Sequence, residues 1–134
     1  MKTKNVFLAL LSISIFLWSA CENDAHIPPT VTFKTGGNYT SNDATVAKSA
    51  SITVGIIADK KEDDMKTYNI SYAYDGATST TTKETFTLSS SENVHYEKDY
   101  TFTVRAQAGV EEWFFVITDK DGNIAKLKIK LTVN

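Results

Sequence analysis

The last quarter of the chain, from Glu111 to Val133, constrains the fold more than any other stretch. Its second half alternates strictly between apolar and polar residues, with Leu127, Ile129, Leu131 and Val133 set against Lys126, Lys128, Lys130 and Thr132. Successive side chains of a β-strand point to opposite faces, so this pattern predicts a strand with one buried and one solvated face. The preceding Trp113–Thr118 segment predicts a partner strand, and the polar Asp119–Asn123 segment between the two predicts a tight turn.

The region before this hairpin contains further segments of the same two-faced kind. They are Thr30–Lys34, Ala50–Asp59, Thr67–Asp75, Thr78–Ser89 and Val94–Arg105. With the closing hairpin they make about seven strands, and no segment after residue 20 shows a convincing helical period. The sequence therefore predicts an all-β sandwich of about seven antiparallel strands. The expected core consists of Phe33, Ile52, Val54, Ile70, Tyr72, Phe86, Phe102, Val104, Trp113, Phe115, Ile117, Ile129 and Leu131.

The first twenty residues have a different character. Lys2 and Lys4 precede an uncharged, mostly apolar run from Val6 to Trp18, and the small residues Ser19 and Ala20 follow. A positive start, an apolar centre and a small-residue end are typical of a secretory signal peptide, which we assign to residues 1–20. The apolar run is shorter than the roughly 20 residues that a membrane-spanning helix needs.

Cys21 is the only cysteine in the chain. With Leu17 to Ala20 before it, it resembles the lipobox of bacterial lipoproteins, although Trp18 stands where that family usually has leucine. The resemblance implies lipidation of Cys21, and Glu22 in place of aspartate implies the outer membrane, on its periplasmic or its surface face. Ordinary secretory cleavage after Ala20 is the alternative. A lone cysteine in an exported protein cannot form an internal disulfide, and acylation would account for it.

Residues 21–29 contain Pro28-Pro29 and are expected to tether a single domain, residues 30–134, to the membrane. The whole chain has 14 Lys and Arg against 16 Asp and Glu. Loss of residues 1–20 removes two lysines and no acid, so the side-chain charge falls from −2 to −4. This acidic balance argues against a nucleic-acid partner, which selects basic surfaces. It also argues that the lipid, rather than charge, attaches the protein to the membrane.

The closing region resembles the ends of bacterial immunoglobulin-like domains, a group that includes the polycystic-kidney-disease-like and adhesin repeats. The resemblance extends from Tyr100 to Val133 and includes Gly109 and the Asp119–Asn123 turn. It implies an immunoglobulin-like β-sandwich, and it implies no particular function because such sandwiches have many unrelated functions. The chain has no cysteine pair to join the two sheets, so hydrophobic packing alone must hold them together.

The Trp113–Thr118 strand is apolar on both faces, which leaves Phe114 and Val116 pointing outward. Grouped exposed apolar residues mark contact surfaces. We therefore take Phe114 and Val116, with Lys126, Lys128 and Tyr74, as a candidate binding face for a protein or a sugar. The alternative is that the aliphatic stems of the neighbouring lysines cover the two apolar side chains.

Other candidate features have a structural and a functional interpretation. Five aromatic residues could form a sugar-stacking platform, or they could be core and cross-strand pairs: Tyr68, Tyr72, Tyr74, Tyr96 and Trp113. The Asp119–Asn123 segment resembles the start of a calcium loop, but it lacks the later glutamate and favours a hairpin turn. No metal site, cofactor or catalytic group is predicted, because no nucleophile, metal-ligand or phosphate-loop motif is present.

These features predict a non-enzymatic cell-envelope lipoprotein whose immunoglobulin-like domain binds or assembles with envelope proteins. The alternative is a carbohydrate-binding accessory module of a glycan-capture system, with a polysaccharide as partner. A third hypothesis is a hydrolase inhibitor or an immunity-type protein that acts through its loops.

Overall fold

The computed structural model describes residues 25–134, which form eight β-strands. The strands are β1 (Thr30–Phe33), β2 (Ala44–Val46), β3 (Ser51–Asp59), β4 (Met65–Tyr74), β5 (Thr81–Thr87), β6 (His95–Thr103), β7 (Gly109–Asp119) and β8 (Ile124–Val133). Within residues 25–134 there is no helix that is long and apolar enough to cross a membrane. The expected signal peptide, residues 1–20, and Cys21 lie outside the described residues.

The strands form two sheets, one of three strands in the order β1-β3-β6 and one of five in the order β2-β8-β7-β4-β5. All neighbouring strands are antiparallel except β2 and β8, which are parallel. In immunoglobulin nomenclature the first sheet is A-B-E, and β8, β7, β4 and β5 are G, F, C and C′. This is the variable-type order without strands D and C″, which confirms an all-β, immunoglobulin-like sandwich.

The strand count differs from the expected seven because of β2, which spans only three residues. It pairs with the end of β8 through Ala44–Leu131, Thr45–Thr132 and Val46–Val133. Asn134 extends this pairing by donating its backbone N–H to the carbonyl of Val46 at 3.0 Å. Three residues are too few to display a two-residue period, so alternation cannot reveal a strand of this length.

The core lies between the two sheets and contains the residues that alternation predicts. Ile52, Val54, Ile70, Phe102, Val104, Trp113, Phe115, Ile117, Ile129 and Leu131 are buried, and Phe33, Tyr72 and Phe86 are partly buried against them. Phe115 is fully buried and meets Phe33 of the opposite sheet edge-to-face, with ring centroids 5.9 Å apart. Aromatic contacts across the sheets therefore replace the cysteine pair of antibody domains.

The two ends of the sandwich carry different connections. At one end lie the start of β1, the loop after β3, the loop before β6 and the β7–β8 turn; at the other lie the β4–β5 and β6–β7 connections. The described part of the expected tether follows the first end. There the Glu62 carboxylate accepts hydrogen bonds from the backbone N–H groups of Ala25 at 3.1 Å and Ile27 at 3.0 Å. Pro29 is buried immediately before β1.

Candidate functional site

The expected binding face lies on the outer surface of the five-stranded sheet. Phe114 stands between Ser71 of β4 and Lys128 of β8, and Val116 between Asn69 and Lys126. Both apolar side chains are half-buried. The Lys126 ammonium lies 4.2 Å from the centroid of the Phe114 ring, and Lys128 forms an ion pair with Glu112 at 2.8 Å. Lys126 thus lies over Phe114, as one of the two interpretations expects, while Phe114 and Val116 both keep part of their surface exposed.

Tyr74 does not belong to that face. On β4 the even-numbered side chains from Tyr68 to Tyr74 point to the interior, whereas Phe114 shares the outer surface with Ser71. Tyr74 is 39% exposed because it lies at the end of the strand, at the margin of the sandwich. The Arg105 guanidinium lies 4.8 Å from its ring centroid, and the Tyr72 ring lies 4.9 Å away. The structure therefore separates Tyr74 from the other four residues of the expected face.

The two sheets are separated by a gap between their edge strands β5 and β6, which we call the open side. Each of these strands is the last of its sheet, because no described strand occupies the positions of D and C″. Near the start of this gap, Phe86 stacks on buried Tyr68, and the Lys98 ammonium lies 4.7 Å from the Phe86 centroid. Further along, the gap is not filled, and a recess of about 370 Å³ opens between the sheets.

Five aromatic rings line this recess: Tyr72, Tyr74, Tyr100, Phe102 and Trp113. They form one continuous series of contacts that crosses from sheet to sheet. The centroids of Phe102 and Trp113 are 3.7 Å apart, and Trp113 and Tyr72 are 5.1 Å apart. Burial, more than any neighbouring charge, raises the pKa of Tyr74 and Tyr100, so both phenols remain hydrogen-bond donors at neutral pH.

Polar groups at the rim come from the two edge strands. The pairing of β4 with β5 shifts by one residue between Ile70–Glu84 and Ser71–Thr82, which leaves Lys83 as the extra residue of a β-bulge. The bulge places Lys83 on the recess, opposite Thr101 and Thr103 of β6. The recess thus combines aromatic surface with the ammonium group of Lys83 and the hydroxyl groups of its tyrosines.

Behind the recess, a buried carboxylate positions Trp113. Glu111 is fully buried, and its Oε2 accepts the indole N–H of Trp113 at 2.8 Å. Its Oε1 accepts the backbone N–H of Arg105 at 2.7 Å. Glu111 therefore lies where the tyrosine corner of immunoglobulin domains is found, near the start of strand F and bonded to the backbone a few residues upstream. Glu112 points to the opposite face, as the alternation of a strand requires.

Asp75 connects the β4–β5 turn to the β6–β7 connection at this end of the recess. Its carboxylate accepts two hydrogen bonds from the Arg105 guanidinium, at 2.7 and 2.5 Å, and one from the backbone N–H of Val110 at 2.8 Å. Gly109 permits this approach. Its φ of 145° suits glycine, and a Cβ there would collide with the Arg105 guanidinium. The turn and the β6–β7 connection are thus held together by one side-chain cluster.

This cluster predicts a specific acid dependence of stability. The hydrogen bonds from Arg105 and then from Val110 lower the pKa of Asp75 from 3.8 to about 2. A depressed pKa contributes stability that is present above the unfolded pKa, near 4, and lost as the pH falls toward 2. Wild type should therefore lose its stability advantage over Asp75→Asn between about pH 4 and pH 2, as measured by urea unfolding at each pH. A constant difference between the two proteins across that range would contradict the assignment.

The aromatic sugar platform and the calcium-like loop that the sequence offered as alternatives both have structural roles. Tyr68, Tyr96 and Trp113 are buried, so the five-residue sugar platform does not exist on the surface. The Asp119 carboxylate, also buried, accepts hydrogen bonds from the backbone N–H groups of Asp121 at 3.1 Å and Asn123 at 2.8 Å. The Asp119–Asn123 segment is a hairpin turn held by its own first residue. No group of three or more His, Cys, Asp and Glu residues within residues 25–134 is arranged to hold a metal ion.

No protein-family model matches the chain, and no curated protein matches it. Solved structures with a similar arrangement include beta-glucosidase from Listeria innocua in complex with glucose, with a TM-score of 0.44 and 10% identity over 78% of this chain. The chain covers 16% of that enzyme's length. Murine CRIg has a TM-score of 0.41 and 10% identity over 79% of this chain and 98% of its own. Similarities this distant carry no argument about ligand or activity.

Proposed function

We propose that the protein is a lipid-anchored binding module of the bacterial outer membrane, related in form to the adhesin-type immunoglobulin-like domains, which acts by binding and not by catalysis. The observation that supports binding is the open side, where a recess of about 370 Å³ between two unpaired strand edges presents the wholly or partly exposed rings of Tyr72, Tyr74 and Tyr100. Mixed aromatic and polar lining is typical of binding sites. The outer face around Phe114 supports binding less, because the Lys126 ammonium already lies over the Phe114 ring.

The anchor is proposed from Cys21 and the apolar run before it. Lipidation would keep the domain at the membrane while the recess stays accessible, since Tyr74 lies at the end of the sandwich opposite the start of β1. The protein partner is favoured over a sugar because the strand edges beside the recess offer backbone hydrogen-bonding groups. A carbohydrate remains the second candidate, since tyrosine rings with hydroxyl groups and Lys83 also suit a sugar.

A photo-crosslinking residue placed at Tyr74 in the native envelope tests this function. We expect a discrete adduct at Tyr74 and none at Ile124, a matched apolar position that is 58% exposed at the other end of the sandwich. A polypeptide adduct supports the protein partner, and a polysaccharide adduct supports the alternative. Absence of any adduct at Tyr74, or equal adducts at both positions, would overturn the assignment of the open side.

Lipidation of Cys21 can be tested in the same cells. Substitution of Cys21 by serine should release the protein from the membrane fraction and abolish incorporation of a fatty-acid label. Continued labelling of C21S, or an unmodified cysteine in the mature wild-type protein by mass spectrometry, would show that the lipoprotein assignment is incorrect.

A further inference from the structure

The edge of β6 differs from the other exposed strand edges of the described domain. It is nine residues long, whereas β1 has four residues and β2 has three. The bulge at Lys83 interrupts the edge of β5, but the pairing of β6 with β3 continues without a shift from His95–Asp59 to Thr103–Ser51. A long edge without bulge or proline is a template for another strand.

The hydrogen bonds at the two ends of this pairing show which backbone groups are exposed. Val104 donates its N–H to Ala50 at 3.0 Å, and Lys60 donates to Val94 at 2.9 Å. In an antiparallel pair, bonded and non-bonded residues alternate, so the even-numbered residues of β6 bond to β3. The N–H and C=O groups of the odd-numbered residues therefore point away from the sheet. These residues are His95, Glu97, Asp99, Thr101 and Thr103.

The two faces beside this edge have different chemistry. The outer face carries three carboxylates, one lysine and one histidine: Lys34 is 2.9 Å from Glu97 and 3.0 Å from Asp99, and His95 is 2.7 Å from Asp59. Lys34 offsets one of the three carboxylates, so the cluster carries a charge of −2 with neutral His95 and still −1 when His95 is protonated. On the inner face, Tyr100 and Phe102 adjoin the recess. A strand added here would therefore place alternate side chains against carboxylates and against aromatic rings.

We propose that β6 binds an extended segment of a partner protein by strand addition, with basic residues of that segment beside Glu97 and Asp99 and an aromatic or aliphatic residue in the recess. This inference rests on the proposed function and specifies its partner. Backbone hydrogen bonds from the odd-numbered residues supply affinity, and the alternation of acidic face and aromatic recess supplies specificity. A second copy is a less suitable occupant, because a symmetric antiparallel pair centred on Glu97 or Asp99 would place like charges opposite each other.

Two synthetic peptides of alternating sequence, KVKYKVKV and EVEYEVEV, probe this edge on the full-length chain purified in detergent. We expect the lysine peptide to bind at least about tenfold more tightly at low salt, and Glu97→Lys to reduce or reverse that preference. On binding, the amides of Glu97, Asp99 and Thr101 should become protected from hydrogen exchange. The amides of the even-numbered residues of β6, which already bond to β3, should change little.

The sharpest variant is Thr101→Pro, since it removes an N–H that points away from β3 and leaves the existing ladder intact. Thr101→Val is its matched control: it also loses the hydroxyl contact with Thr53 at 2.9 Å but keeps the N–H. We expect at least about tenfold weaker peptide binding for T101P and a change of less than about twofold for T101V. Retained folding of T101P is checked by circular dichroism, and Glu97→Lys serves as the test if T101P does not fold.

Failure of the lysine peptide to bind at about 1 mM, equal binding of that peptide to T101P and T101V, or equal affinity of the two peptides would overturn the proposal. Protection of the odd-numbered amides without peptide, together with dimerisation, would assign the edge to a second copy instead. Crosslinking at Tyr74 together with failure of these peptide tests would refute strand addition alone, and the broader binding function would stand.

Discussion

Replacing Glu111 with alanine is expected to lower the free energy of unfolding by about 3–5 kcal/mol. The carboxylate is fully buried and accepts hydrogen bonds from the Arg105 backbone and the Trp113 indole, so its removal leaves one buried and one partly buried donor unsatisfied. The Arg105 Nε, 4.0 Å from Oε1, would also lose its nearest carboxylate. Chemical denaturation monitored by Trp113 fluorescence measures the loss and reports the displacement of the indole.

The adjacent Glu112 is a matched control, since it has the same side chain one position away and points to the outer face. Its carboxylate pairs with Lys128, whose side chain is 50% exposed, so Glu112→Ala should cost at most about 1 kcal/mol. Glu111→Gln should fall between the two, because an amide can accept one of the two hydrogen bonds but presents an N–H to the other donor. Equal effects of E111A and E112A would refute the role assigned to the buried carboxylate.

Phe115→Ala should produce a loss of similar size, about 3–5 kcal/mol, because it opens a cavity in the centre of the core. Phe115 has no exposed surface and contacts Phe33 of the opposite sheet, so neither sheet can easily collapse into the space. The loss would be measured by urea unfolding of the full-length protein in detergent. The change in midpoint should come without a change in slope if the folded state remains compact.

Its neighbour Phe114 provides the comparison. Phe114 is half-buried on the outer face beneath Lys126, so Phe114→Ala should cost only about 1 kcal/mol. A large loss for F114A would mean that the outer face is part of the structural core. A loss of partner binding with unchanged stability would support Phe114 as a binding residue, which is one of the two interpretations that the sequence leaves open.

Alternation predicts much of this fold because most strands have one buried and one exposed face. The inward positions from Trp113 to Ile117 and at Ile129 and Leu131 follow from a two-residue period alone. The same rule separates Glu111 from Glu112. The rule needs more than three residues to show a period, so it does not detect β2, and it cannot reveal which strands lie at the sheet edges.

The open side could not be predicted from the sequence for a physical reason. It results from two sheet positions that no described strand occupies and from the pairing shift at Lys83, and both depend on how strands pair and not on the pattern within one strand. Arg105 and Asp75 are 30 residues apart, and no local pattern connects them. Glu111 could have been found from the sequence, because it lies two positions before the inward Trp113 and therefore points to the interior as well. A buried carboxylate requires hydrogen-bond donors, and the indole N–H is the nearest one on the same face. Tyr74 follows the alternation, but its exposure depends on where β4 ends.

The two hydrogen bonds that Glu62 accepts from Ala25 and Ile27 also bear on how the domain would stand on a bilayer. If Cys21 carries the lipid, the stretch from Cys21 to Ala25 can extend at most about 14 Å. Such a short linker would hold the end of the sandwich that contains Glu62 close to the lipid headgroups. The recess would then lie at the end that is farther from the membrane. Partners would then approach from the aqueous space and not along the membrane plane.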